Sequence, residues 1–208
     1  MSIRHALPAD VDTLVDIEAA SYPPAEGASR QSIAGRVAVY PDCFWLLDEG
    51  GEVKAFVNGF VTDMPDLTDE MYDDPHLHTP KGAWQMIFSV VTAPAHRHEG
   101  CASRLLRQVC ADAKAAGRKG IVLTCKERLV DFYARLGFVD EGLSESTHGN
   151  VVWHQMRLAL THAVGTGNPT ANGSAKTAER TNDADTTAMS GVDHDAETLE
   201  FPQVEPTA

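Results

Sequence analysis

The chain has 208 residues, 43% of them hydrophobic, and a formal net charge of -13, which suits one globular domain with a real core. Phosphate backbones are held by clustered Lys and Arg, and the absence of any such cluster excludes a nucleic-acid binder. No apolar run approaches the ~18 residues of a membrane helix, and MSIRHALPADVD lacks the apolar core of a signal peptide, so the sequence reads as that of a cytoplasmic protein without a membrane partner.

Taken in chain order, Ser2 to Leu7 reads as a short strand. Ala9 to Ala20 reads as a helix, with Val11, Leu14, Val15 and Ile17 close to one face. A second helix is expected over Ser29 to Val39, stopping before Pro41. CFWLLD and EVKAFVNGFVTD are two apolar runs separated by Glu49-Gly50-Gly51, which is a hairpin signal. Lys81 to Val91 is another strand. Ala102, Leu105, Leu106, Val109, Cys110 and Ala113 recur at helical spacing, so a helix is expected to about Ala116 with Gly117 as its stop. KGIVLTC follows as a buried strand and ERLVDFYARL as a helix, with Gly137 where a left-handed cap belongs. FVDEG and NVVWHQMRLAL close the series as strands. Strands first in a meander and then alternating with helices give an α+β fold, a mixed sheet with helices on both faces.

Cys43, Cys101, Cys110 and Cys125 contain no C-x-x-C pair, so buried thiols are expected and neither a zinc site nor a disulfide framework. His76 and His78 form H-x-H and read as loop histidines, leaving no metal site. After Leu160 the composition turns to Ala, Thr, Gly and Asp with Phe201 as the only aromatic. Residues 161–208 are therefore expected to form a disordered acidic tail, with LEFPQVEP as a candidate partner motif, and residues 1–160 the domain. A monomer and a homodimer both fit.

HRHEGCASRLL joins the strand WQMIFSVV to the helix that follows. A strand that passes through small residues into a helix leaves the first amides unpaired and aimed outward, where the helix dipole favours an anion. Gly100 and Ala102 give room for a phosphate, while Arg97 and His98 supply donors beside it. Neither G-x-x-x-x-G-K-[ST] nor G-x-G-x-x-G is present, which removes nucleotide hydrolysis and dinucleotide redox chemistry. These residues alone fit an anion site and a plain helix start equally.

One strand and one helix downstream lies DFYARLGF. R-x-x-G-x-A followed at this distance by F-Y-x-x-x-G-F resembles the GCN5-related N-acetyltransferase (GNAT) superfamily, and the likeness spans residues 2 to 159. IRHALPADVDTLVDIEAASY and VLTCKERLVDFYARLGF look closest to its arylalkylamine N-acetyltransferase branch. The resemblance implies a mostly antiparallel sheet with a splayed parallel pair, and acetyl-CoA as acyl donor. Carried over by position, the backbone of Val90, Val91 and Thr92 would hold the pantetheine arm and polarise the thioester. Arg97, His98, Glu99, Gly100, Cys101, Ala102 and Ser103 would meet the pyrophosphate, chiefly through main-chain amides, with the Glu99 side chain turned away. Tyr133 would protonate the departing thiolate, for which a phenol of pKa ~10 is suited.

The histidine pair of the animal arylalkylamine enzymes falls on Met86 and Phe88, neither of which moves a proton. Glu26, Glu70 and His148 are the candidates for a base acting through water. The acidic stretch DMPDLTDEMYDDPHLH, residues 63–78, comes where the family has a substrate-covering loop. Its carboxylates would suit a cationic amine, with Met71 and Tyr72 against an apolar part and Trp153 and His148 facing them. The resemblance thus implies acetyl transfer to a small primary amine. Acetylation of a protein amino terminus or lysine is an alternative, and a non-catalytic acyl-CoA sensor is another.

Overall fold

A computed structural model describes residues 1–160, and the expected tail, residues 161–208, lies outside the described residues. Seven strands form one sheet in the order β1-β2-β3-β4-β5-β7-β6. They are β1 (Ser2–His5), β2 (Phe44–Glu49), β3 (Glu52–Thr62), β4 (Trp84–Thr92), β5 (Gly120–Cys125), β6 (Val139–Leu143) and β7 (His154–Ala159). Every neighbouring pair is antiparallel except β4 and β5, which run parallel. The helices are α1 (Val11–Ala19), α2 (Arg30–Val39), the single turn α3 (Glu70–Asp73), α4 (Cys101–Ala115) and α5 (Val130–Ala134).

Local chemistry explains most boundaries. Ser29 caps α2, its hydroxyl accepting from Ser32 N at 3.1 Å. The β2–β3 turn closes on Gly50 and Gly51, both at positive φ, with Gly51 N donating to Asp48 Oδ1 at 3.0 Å. α4 ends in a Schellman motif: Arg118 N donates to Ala113 O and Gly117 N to Lys114 O, with Gly117 left-handed at φ 74°. The same two bonds recur at Gly137, from Phe138 N to Tyr133 O and from Gly137 N to Ala134 O. That second helix is shorter than its sequence pattern suggests. Residues 127–129 form a 3₁₀ turn and only Val130–Ala134 are α-helical.

Strand alternation assigns the two faces of the sheet. On β2, Phe44 stacks on Tyr40 at the end of α2, whereas its neighbour Trp45 donates from Nε1 to Asp112 of α4 at 2.8 Å. So α2, with α1 packed against it, covers one face and α4 the other. α4 buries Ala102, Leu105, Leu106, Val109 and Ala113 on the sheet. Cys43, Cys101 and Cys125 are buried and Cys110 is half-buried; all four are free thiols. Among the described residues, no helix is long and apolar enough to cross a membrane.

Candidate active site

The site begins as a fault in the β3–β4 ladder. Asn58 pairs with Ser89 but Gly59 pairs with Ile87, so Phe88 is an extra residue, a bulge that bends β4. Gly59 permits it, because a Cβ at that position would lie 1.8 Å from Met86 O. Beyond the bulge β4 leaves β5. Their parallel register stops at Ile87 with Leu123, while Thr124 and Cys125 continue with β7. The two strands diverge as a wedge.

The phase of the ladder decides which backbone groups face the wedge. Ala93 N donates to Lys54 O at 2.9 Å. Antiparallel pairs alternate between bonded and non-bonded, so Val91 exchanges its own bonds with Phe56, while Val90 and Thr92 turn theirs away from β3. Two side chains that follow α1 meet this edge. Tyr22 donates from its hydroxyl to Val90 O at 3.3 Å and Ser21 from its own to Thr92 O at 3.4 Å. Of the three residues that the sequence nominates here, Val91 contributes packing, being 1% exposed, and the outward backbone belongs to Val90 and Thr92.

A cavity of about 70 Å³ lies in the wedge, bounded by β4, β5, α1, α2, α5 and the loop around residue 148. Tyr133 lines it, its ring held edge-on by Phe132 and Phe138 at centroid distances of 5.0 and 5.8 Å. Burial pushes its phenol well above the ordinary tyrosine range, so it is protonated at neutral pH. Tyr72 lines the cavity as well, its hydroxyl 3.1 Å from Thr124 Oγ1 and its ring stacked on His148 at 4.7 Å. Phe88 presents its ring to the guanidinium of Arg36, 4.9 Å away.

Two carboxylates line this cavity, Glu26 and one that the sequence does not single out. Glu18, at the end of α1, is 2% exposed. Its Oε1 accepts from Ala28 N at 3.1 Å and from Ser89 Oγ at 3.1 Å, and its buried Oε2 has no hydrogen-bond partner. Burial raises its pKa, against the Ala28 and Ser89 bonds and the charge of Arg36 that lower it. Arg36 is itself buried, donating to Asn58 Oδ1 at 3.2 Å and to Tyr72 O at 2.7 Å. As Asn58 and Ser89 sit opposite one another on β3 and β4, the sheet holds both polar pairs side by side.

The base candidates read from the sequence fare differently. Glu26 lines the cavity but is committed to Lys126, whose Nζ lies 2.9 and 2.8 Å from its two oxygens. His148 lines it too, with Nε2 donating to Glu26 O at 3.0 Å, and Trp153 donates from Nε1 to His148 O at 2.8 Å. Glu70 is exposed on α3 and away from the cavity lining.

The acidic stretch 63–78 corrects another expectation. Of its side chains only Tyr72 reaches the cavity, and Met71 is fully buried in the core. Two of its carboxylates are engaged elsewhere: Asp66 with Arg157, and Asp69 with Ser146 and Thr147. The segment is thereby fastened to the loop that carries His148.

At the other end of β4 the chain passes a 3₁₀ turn, Pro94–His96, and enters α4 through two left-handed residues, His98 at φ 68° and Gly100 at φ 71°. Gly100 is the N-cap and no side chain caps the helix, so the first-turn amides of Cys101, Ala102 and Ser103 are presented without a capping oxygen. A Cβ at Gly100 would meet nothing within 4 Å, so the helix start opens outward. Glu99 faces away, to Lys54 at 3.8 Å and His96 at 3.4 Å. Arg97 and His98 precede the helix start.

The fold as a whole is shared with proteins of known structure. The GphF GNAT-like decarboxylase, solved with isobutyryl-CoA, shares it at a TM-score of 0.67 and 23% identity, over 77% of this chain and 100% of that one. The ribosomal-protein-S18-alanine N-acetyltransferase from Escherichia coli matches at 0.59 and 16% identity, over 79% of this chain and 97% of that one. The yncA protein from Salmonella typhimurium, with its cofactor acetyl-CoA, matches at 0.56 and 17%, over 79% and 96%. At these identities the likeness establishes the fold. The family model for the acetyltransferase (GNAT) family matches residues 11–138, and the chain belongs to that family.

Proposed function

We propose that the protein transfers the acetyl group of acetyl-CoA to a small primary amine by direct attack in a ternary complex. The observation that carries this reading is the divergence of β4 from β5 at Ile87 and Leu123, which puts an outward strand edge beside a small polar cavity. In this reading the outward backbone of Val90 and Thr92 holds the pantetheine arm, with Val91 beneath as packing. An amide there, aimed at the thioester oxygen, stabilises the tetrahedral intermediate, a contact worth about 2.7–4 kcal/mol in hydrolases. The amides at Gly100, Cys101, Ala102 and Ser103 take the pyrophosphate, with Arg97 and His98 beside them and the Glu99 carboxylate turned to Lys54 and His96.

Tyr133 delivers the proton that lets the thiolate leave. Its buried phenol stays protonated through neutral pH, and it can pass that proton to the sulfur as the C–S bond breaks because it takes another in turn from the nitrogen. A small acceptor is supported by a cavity of about 70 Å³ and by a covering segment fastened through Asp69 to residues 146 and 147. Peptide segments need a longer trough.

A panel of small amines, peptides with free amino termini and lysine peptides, incubated with acetyl-CoA and read by thiol release, tests the reading. Turnover confined to small amines is the expected result. Turnover confined to peptides would replace it with protein acetylation. CoA binding without turnover on any acceptor would replace it with a sensor.

A further inference from the structure

The amine must lose protons to react, because an alkylammonium of pKa ~10 has no lone pair to offer. Four observations converge on one group in the cavity that can take them, since Glu26, whose Oε2 also lacks a hydrogen bond, is ion-paired with Lys126. Glu18 is buried, it lines the same cavity as Tyr133, its Oε1 is fixed by two donors, and its Oε2 has none. A buried acceptor without a donor costs about 1–3 kcal/mol and persists where something else compensates for it. A cationic amine is the partner that such an oxygen lacks.

We propose that Glu18 binds the acceptor's ammonium group through Oε2 and removes its proton, acting as the catalytic base. The inference rests on the acetyl-transfer reading above. The rest of the geometry then has a use. Ala28 N and Ser89 Oγ hold Oε1 and so aim Oε2, and Ser89 sits immediately after the bulge that opens the wedge. Ser89 and Ala28 are positioning groups, since they act through Glu18. The base comes from α1, whereas Met86 and Phe88, at the positions of the arylalkylamine enzymes' histidine pair, supply packing. Met86 is fully buried and Phe88 lies under Arg36.

The ammonium gives one proton to Glu18 and becomes an amine. Its lone pair then forms the N–C bond at the thioester carbonyl, and the tetrahedral intermediate collapses with loss of the C–S bond. Tyr133 protonates the sulfur and recovers its proton from the nitrogen. Of the two protons leaving nitrogen, one ends on CoA and the other passes through Glu18 to solvent. No oxidant or metal enters.

Raising the pKa of a carboxylate makes it a stronger base, and burial does this to Glu18. The charged and titratable groups that face it are Arg36 from α2, His148 from its loop and Tyr22 just after α1, with Ser89 from β4 as an uncharged donor. The base works only when ionised, so turnover should rise with pH through the Glu18 titration, above the ordinary carboxyl range.

Glu18→Gln keeps an oxygen for Ala28 and Ser89 and removes the basicity, and is tested in the full chain with the best amine of the panel. The expected results are a fall in kcat of about 10²-fold or more, unchanged CoA affinity by calorimetry, and loss of the acid limb of the pH–rate profile. Glu18→Asp, which keeps the carboxylate, should recover part of the rate and restore a pH-dependent limb. A Glu18→Gln enzyme with parental kcat and an intact acid limb would overturn the proposal. So would a Ser89→Ala enzyme that loses turnover as fully as Glu18→Gln. If Glu18→Gln is poorly folded, Glu18→Asp decides: a kcat equal to the parent's in that shortened variant counts against Glu18. Failure of the acetyl-transfer reading itself is separable, because then the parent protein turns over no amine.

Discussion

Ser89 Oγ donates to Glu18 Oε1 at 3.1 Å, tying the residue after the β4 bulge to the carboxylate that ends α1, 71 positions earlier. The bond aims the carboxyl without meeting its solvation loss, since burial still dominates and holds the Glu18 pKa above the ordinary value. A carboxyl with a raised folded-state pKa binds more protons folded than unfolded. Its stabilising contribution is therefore present at low pH and is lost as pH rises from the ordinary carboxyl range through the raised value. Glu18→Gln, which cannot ionise, should melt at a higher temperature than the parent at pH 7, and the difference should shrink toward pH 4. Calorimetric melting at both pH values checks the sign. A merely structural Glu18 would make the variant less stable at pH 7.

The entry to α4 offers a test of cofactor binding that spares the fold. Gly100 is left-handed at φ 71°, so a β-branched residue there would strain the backbone as well as crowd any ligand. Asparagine tolerates the left-handed region, and its side chain would extend into the open space before the helix. Gly100→Asn should melt within a few degrees of the parent. Its Kd for CoA should be weaker by at least about tenfold, or ~1.4 kcal/mol. Undiminished affinity in a titration would remove the helix start from the pyrophosphate site.

Much of this architecture was legible because it is local. The apolar repeat from Ala102 to Ala113 carries its own period, and Gly50, Gly51, Gly117 and Gly137 mark turns that their left-handed backbones require. Glu18 was not legible: in VDTLVDIEAASY it reads as one more polar position of an amphipathic helix. What buries it is Ser89 on β4 and Ala28 ahead of α2, contacts that no period encodes. The bulge at Phe88 is likewise a relation between two strands, as is the phase that turns Val91 toward Phe56 and Val90 away. The carboxylates of residues 63–78 misled for the converse reason. Their abundance suggested a pocket for a cationic amine, yet partners distant in sequence, Arg157, Ser146 and Thr147, claim two of them.

Tyr133 can be separated from its surroundings by a single oxygen. Tyr133→Phe keeps the ring that packs edge-on against Phe132 and Phe138 and deletes the phenolic proton. If that proton goes to the thiolate, kcat should fall about 10²–10⁴-fold while acetyl-CoA affinity is retained. Part of the loss should return with an acyl donor whose thiol is more acidic, because such a leaving group needs less protonation. Turnover equal to the parent's would take Tyr133 out of the chemistry.

The wedge itself depends on a residue that touches no ligand. Gly59 lies against the backbone of the bulge, and a methyl at its Cα would sit 1.8 Å from Met86 O, a contact with main chain that no rotamer relieves. Gly59→Ala must then either shift β3 away from β4 or flatten the bulge at Phe88. Overpacking of this kind costs about 1–3 kcal/mol, which for a domain of this size lowers the melting temperature by about 2–4 °C per kcal/mol. Flattening would also slip Ser89 relative to Glu18 and carry the outward edge at Val90 and Thr92 out of phase. Turnover should accordingly fall even at temperatures where the variant remains folded by circular dichroism. A Gly59→Ala protein that melts lower but keeps parental kcat would mean that β3 gives way while the bulge survives, and the wedge would then not depend on Gly59.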